Sequence, residues 1–98
     1  MLTQVNYPTA ETVEAIALVE NIELTKSESR FLACLFFYLL LKPIKPTLKE
    51  LSSYTDYSKA NVQKLLNRLR LKKIIDWERK QARTINILKE VKIDFQTL

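Results

Sequence analysis

The chain of 98 residues contains no glycine, no histidine and one cysteine. Without glycine it cannot form the usual phosphate-cradling loops, which need residues free of a Cβ at the turn. Without histidine, the commonest general base and the commonest metal ligand are both missing. Cys34 alone allows no intramolecular disulfide and no cysteine-rich zinc site, and its place in an apolar run marks it as core packing rather than redox chemistry. The acids form no pair suited to acid–base work, and an isolated cysteine or lysine is a poor catalyst. These absences point away from an enzyme and imply no catalytic residue, metal or cofactor. The longest apolar run, Phe31–Leu41, has eleven residues, well short of the ~20 that span a bilayer. No basic region followed by an apolar stretch opens the chain, so a soluble, cytoplasmic protein is expected.

Charge of one sign is also missing locally. Residues 1–24 hold four glutamates and no cation, whereas the remainder holds 16 cations against seven acids. From Lys59 to Arg83 nine cations face only Asp76 and Glu78, a net +7 within a chain of net +5. A field this concentrated attracts polyanions. At 47% hydrophobic residues the chain suffices for one domain with one core.

Two helical patterns separated by a short polar break organise residues 47–73. Thr47 and Glu50 form a capping-box pattern, and Leu48, Leu51 and Tyr54 follow at helical spacing. The break Thr55-Asp56-Tyr57-Ser58 ends that helix near Tyr54. Ser58 then caps a second helix whose apolar residues Val62, Leu65, Leu66 and Leu69 form one stripe. Its outward positions are Lys59, Ala60, Asn61, Gln63, Lys64, Asn67, Arg68 and Arg70, which carry amides and cations and no carboxylate. A merely solvated face normally mixes both signs of charge. Amides pair with adenine edges, arginine with guanine edges and lysine with phosphates, a set suited to the major groove.

Ile74–Glu78 and Arg83–Leu88 are rich in β-branched and aromatic residues and flank the polar tetrapeptide Arg79-Lys80-Gln81-Ala82, which reads as a hairpin. On Leu48-Lys49-Glu50-Leu51, Ser58-Lys59-Ala60-Asn61-Val62, Leu65-Leu66-Asn67-Arg68-Leu69 and Leu71-Lys72-Lys73-Ile74-Ile75, the stretch Thr47–Leu88 resembles the winged helix-turn-helix domains of MarR-like transcriptional regulators and their relatives. The resemblance implies a mostly α fold with a small antiparallel hairpin (α+β), in which residues 74–88 form the wing. It also implies that Arg79, Lys80 and Arg83 reach the minor groove or backbone beside the recognition helix. Such domains usually carry glycine after that helix and in the wing turn. Here Lys73 takes the first position, and Gln81 or Ala82 sits in the turn. The alternatives for Lys73 are a backbone that avoids positive φ or packing by Ile74 and Trp77 that offsets the strain.

The flanks complete a single domain over residues 1–98. Residues 9–24 are expected as an acidic helical extension, capped by Thr9 and running through Ala10–Glu20, with an extended Ala15–Leu24 as the alternative. Thr25-Lys26-Ser27-Glu28 caps a central helix over 25–42 that Pro43 ends. That helix carries two apolar stripes, Phe31/Cys34/Leu35/Tyr38 and Ala33/Phe36/Phe37/Leu40, and the second needs a cover. The N-terminal segment, the C-terminal tail and a second copy together supply it in the expected homodimer. The alternative is a monomer whose ends close over the helix. Ile44 is a candidate minor strand beside the wing. The tail 89–98 reads either as a strand (Val91, Ile93, Phe95) or as a helix stripe (Leu88, Val91, Phe95, Leu98).

The expected function is sequence-specific binding of double-stranded DNA by a small homodimeric transcriptional regulator. Asn61, Gln63, Lys64 and Asn67 lie nearest base edges, and Ser58, Lys59 and Arg68 lie on phosphates. The competing reading is a winged-helix protein-interaction module in a replication, partition or chromosome-organising assembly. A non-specific architectural or RNA-binding role ranks last, because too few exposed aromatics accompany the basic face to stack bases.

Overall fold

The computed structural model describes residues 13–97, which form an α+β chain of three helices and two small antiparallel sheets. In chain order the elements are β1 (Val13–Leu18), α1 (Lys26–Leu41), α2 (Leu48–Thr55), α3 (Lys59–Leu71), β2 (Ile75–Asp76), β3 (Asn86–Ile87) and β4 (Lys92–Thr97).

The helices begin where local chemistry dictates. Thr25 accepts the Glu28 N–H (3.2 Å) and Glu28 accepts the Thr25 N–H (2.8 Å); Thr47 and Glu50 repeat this box at α2. Ser58 accepts the Asn61 N–H at 3.1 Å and caps α3. Asp56, left-handed at φ 62°, ends α2, and Ser52 donates its hydroxyl to the Tyr57 carbonyl across the turn.

The core gathers Phe31, Leu32 and Leu35 of α1, Leu51 of α2, and Val62, Leu65 and Leu69 of α3, completed by Ile74 and by Ile75 of β2. Each of these side chains is 0–1% exposed. Full burial of residues this size contributes ~1.5–3 kcal/mol apiece, the term that holds a chain this short together.

The C-terminus of α3 closes as a Schellman motif without glycine. Lys73 N–H donates to Arg70 O (2.9 Å) and Ile74 N–H to Leu69 O (3.0 Å), with Lys73 left-handed at φ 61°. The backbone therefore does not avoid positive φ here, and the buried contact pair of the motif, Leu69 and Ile74, accompanies the strained residue.

Residues 13–18 correct the expected helical extension: they are strand β1, and residues 9–12 lie outside the described part. β1 pairs antiparallel with β4 from Val13↔Thr97 to Leu18↔Lys92. The spacing of Val13, Ile16 and Ala17 fits a helix when read locally, but Ala15, Ala17 and Val19 also share one strand face opposite Phe95 and Ile93. That face packs on α1, where Ala17 and Ala33 are buried together in the core. Pairing across the ends of the chain outweighs a local preference of a few tenths of a kcal/mol per residue. The tail accordingly takes its strand alternative. The ribbon covers the N-terminal part of the second α1 stripe and leaves Phe36 and Phe37 half-buried and Leu40 65% exposed.

The hairpin β2–β3 is shorter than expected, with two residues per strand, and residues 77–85 form its tip rather than a four-residue turn. Side chains take the bonds a longer ladder would make. Asp76 accepts the Trp77 N–H (2.9 Å), and Thr84 accepts the Glu78 N–H (2.9 Å) and donates to Gln81 O (3.2 Å). Positive φ falls on Lys80 and Arg83, not on Gln81 or Ala82. Ile44 belongs to no strand and is 60% exposed.

Candidate nucleic-acid interface

The outward face of α3 follows from its buried one. Val62, Leu65, Leu66 and Leu69 are 0–4% exposed, so Lys59, Asn61, Gln63, Lys64, Asn67 and Arg68 all face solvent. Gln63 Nε2 donates to Asn67 Oδ1 at 3.1 Å, one turn apart. This bond fixes two neighbouring amides and leaves the Gln63 carbonyl oxygen and an Asn67 amide hydrogen for an external partner. Ser58, Lys59 and Asn61 cluster at the N-terminus of the helix, whose first turn holds no acid. Unpaired N–H groups and the helix dipole favour an anion there.

The hairpin tip brings Arg79 and Lys80 into solvent as the central residues of a turn closed by Gln81 N–H donating to Glu78 O (3.3 Å). The tip and α3 face one another across a cleft of about 240 Å³, whose walls include Pro46, Leu48, Gln63, Leu66, Trp77 and Ala82. Its lining is mainly apolar, so it sets the spacing between helix and hairpin rather than gathering reactive groups.

Three cations of this region, Arg83, Arg70 and Lys72, are paired with acids. Arg83 makes a two-pronged pair with Glu50 (2.8 and 3.2 Å) and donates to Lys45 O (2.9 Å), tying the hairpin to the start of α2. Lys45 Nζ donates in turn to Asn86 Oδ1. Hydrogen bonds from the Thr47 N–H and from Arg83 hold the Glu50 carboxyl below its ordinary value. Arg70 pairs with Asp76 (2.9 Å) and stacks over the Trp77 ring, 4.4 Å from its centroid. Lys72 reaches Glu28 Oε1 (2.6 Å) and Glu23 O (2.8 Å), joining the end of α3 to the start of α1. By contrast Lys59, Lys64, Arg68, Arg79 and Lys80 have no ion-pair partner among the described residues.

Sequence reasoning placed both Arg83 and Arg70 with the outward positions, which the pairs with Glu50 and Asp76 correct, and did not single out Lys72. No local signal marks Arg83 or Lys72, because their partners Glu50 and Glu28 lie 33 and 44 residues away. Among the described residues no group of three or more His, Cys, Asp or Glu could hold a metal ion. No helix among them is long and apolar enough to cross a membrane. Burial pushes the Cys34 thiol above its ordinary value, away from nucleophilic chemistry. No protein-family model, curated protein or solved structure matches the chain.

Proposed function

We propose that the chain is a winged helix-turn-helix protein that binds double-stranded DNA sequence-specifically, as a small homodimeric transcriptional regulator. α3 enters the major groove with Asn61, Gln63, Lys64 and Asn67 toward base edges. Ser58, Lys59 and Arg68 contact phosphates, and the β2–β3 hairpin is the wing, carrying Arg79 and Lys80 to the neighbouring backbone or minor groove. Arg83 serves this interface from behind, by holding the wing against α2.

One observation carries the reading: the cations divide by direction. Arg70, Lys72 and Arg83, which reach other elements, have acidic partners, and Lys59, Lys64, Arg68, Arg79 and Lys80, on the outer face of α3 and the hairpin tip, have none among the described residues. Five unneutralised cations on the exposed positions of α3 and the hairpin tip, with an ordered amide pair and without a carboxylate on α3, suit a polyanion with readable edges.

The protein-interaction reading has one feature in its favour. Leu71, on the outward side of α3, is 83% exposed, which suits an apolar partner better than a phosphate backbone. Fluorescence anisotropy over a salt series separates the two, with one labelled duplex from the gene's own upstream region and one scrambled. Tighter binding to the upstream duplex near physiological salt is expected. Equal binding that fades steeply with salt would remove sequence specificity, and no binding at low salt would refute the DNA reading.

A further inference from the structure

Among the described residues the β1–β4 sheet has two strands, so each has one edge that no described residue pairs with. Such a ribbon is marginal alone, and an open edge is a template for another strand. The two edges differ in what they can pair with. Val13–Leu18 contains an acid but no cation, so no register of β1 against itself sets opposite charges face to face. In β4, Lys92 and Asp94 share one face, and Ile93 and Phe95 share the other with Val91 before them.

Antiparallel self-pairing of β4 keeps the apolar sides together only if the two-fold axis passes beside a residue. An axis at Lys92 or Asp94 sets that charge against its own copy. An axis at Phe95 leaves both charges opposite uncharged residues. An axis at Ile93 puts Lys92 opposite the partner's Asp94 twice, and Val91 opposite the partner's Phe95 twice.

We propose that a second copy of this chain pairs along β4, antiparallel and centred on Ile93, giving a four-stranded sheet in the order β1-β4-β4-β1. Neither Lys92 nor Asp94 has an ion-pair partner among the described residues. Their cross-strand neighbours in β1 are Leu18 and Ile16, so each charge meets an apolar residue inside the protomer and its complement in the partner. The apolar side has the same unfinished character. Phe95 lies 6.0 Å from Phe37 yet is 60% exposed, and Leu40, one turn beyond Phe37, is 65% exposed. The partner's β4 covers the seam these side chains border. This inference deepens the dimeric part of the function proposed above and rests on no DNA contact.

Sedimentation equilibrium of the full chain tests it with Asp94→Lys, Lys92→Asp and the double exchange, the fold of each checked by circular dichroism. Each single variant turns two unlike pairs into two like pairs, so its dimer should dissociate about tenfold or more readily. The double exchange should restore wild-type association. A monomeric wild type would overturn both the homodimer and this surface. A dimer indifferent to the single variants, or not restored by the double one, would overturn this surface alone. As a second readout, Ile93→Cys combined with Cys34→Ala should yield a covalent dimer on mild oxidation, because the axis residue meets its own copy. Failure to cross-link while the protein remains dimeric would overturn the register.

Discussion

Replacing Lys73 by glycine should stabilise this protein, although glycine within a helix normally does the opposite. Lys73 sits at φ 61°, where its Cβ crowds the following carbonyl, and the Schellman bonds from Lys73 and Ile74 hold it there. Strain of this kind is ~1–2 kcal/mol, and the extra freedom glycine gives the unfolded chain takes back ~0.4–1 kcal/mol. The net expectation is a gain of about 1 kcal/mol, or a rise in Tm of roughly 4–8 °C for a domain of this size. Removing a cation from a basic region helps on its own, so the proper reference is Lys73→Ala, which loses the charge and keeps the Cβ. Chemical and thermal unfolding of the three proteins at one pH and salt concentration provide the comparison. Arg68→Gly, in the interior of α3, should lose about 1 kcal/mol under the same conditions. If Lys73→Gly were no more stable than Lys73→Ala, the strain assigned to this corner would not exist.

Glu28 is the buried acid that joins α1 to α3. Burial pushes its carboxyl up from the ordinary 4.5, but the Lys72 and Thr25 hydrogen bonds outweigh this and leave it lowered. Its contribution is therefore complete above about pH 4.5 and is lost as pH falls through the folded value; Glu28→Gln should cost ~1–3 kcal/mol at neutral pH and flatten the acid limb of the urea midpoint. Asn61→Ala should narrow the preference for the upstream over the scrambled duplex by about 1–3 kcal/mol, measured by anisotropy. Lys80→Ala should weaken binding to every duplex alike and lower the salt slope by about 1. Arg83→Ala breaks a half-exposed pair that solvent screens, so the urea midpoint should barely move. The same substitution should speed hydrogen exchange across residues 77–85 and reduce affinity on all duplexes.

What could be read from the residues was what local chemistry decides. The three helix starts follow from side chains within three residues of the cap, and Ser58, Thr47 and Thr25 each occupy the expected position. The place of Lys73 at the corner after α3 was legible as well, but its left-handed backbone was not, since a chain without glycine can also avoid positive φ there. The identity of β1 was not legible. Val-Glu-Ala-Ile-Ala-Leu satisfies both periods in part, and the partner that decides between them begins at Lys92. The hairpin could be anticipated but not the length of its tip, because Thr84 and Asp76 divert the backbone bonds of Trp77 and Glu78. At the candidate interface, residue type marks a cation as able to meet phosphate. Only the fold determines whether Glu50, Asp76 or Glu28 reaches it first.

The β1–β4 ribbon also governs the order in which the chain can complete itself. Its paired residues are 74 to 84 positions apart, from Leu18↔Lys92 to Val13↔Thr97. α2, α3 and the hairpin close over much shorter loops and can fold first. At ~5–20 residues per second, β1 waits roughly 4–17 s on the ribosome before its partner is made. Once α1 is made, its Ala33–Phe37 side lacks the β4 part of its cover until then, and the edge of β1 that β4 pairs with is free to meet another nascent chain. Aggregation during synthesis, rather than instability of the finished fold, is therefore the failure to expect when β4 is weakened or cut away.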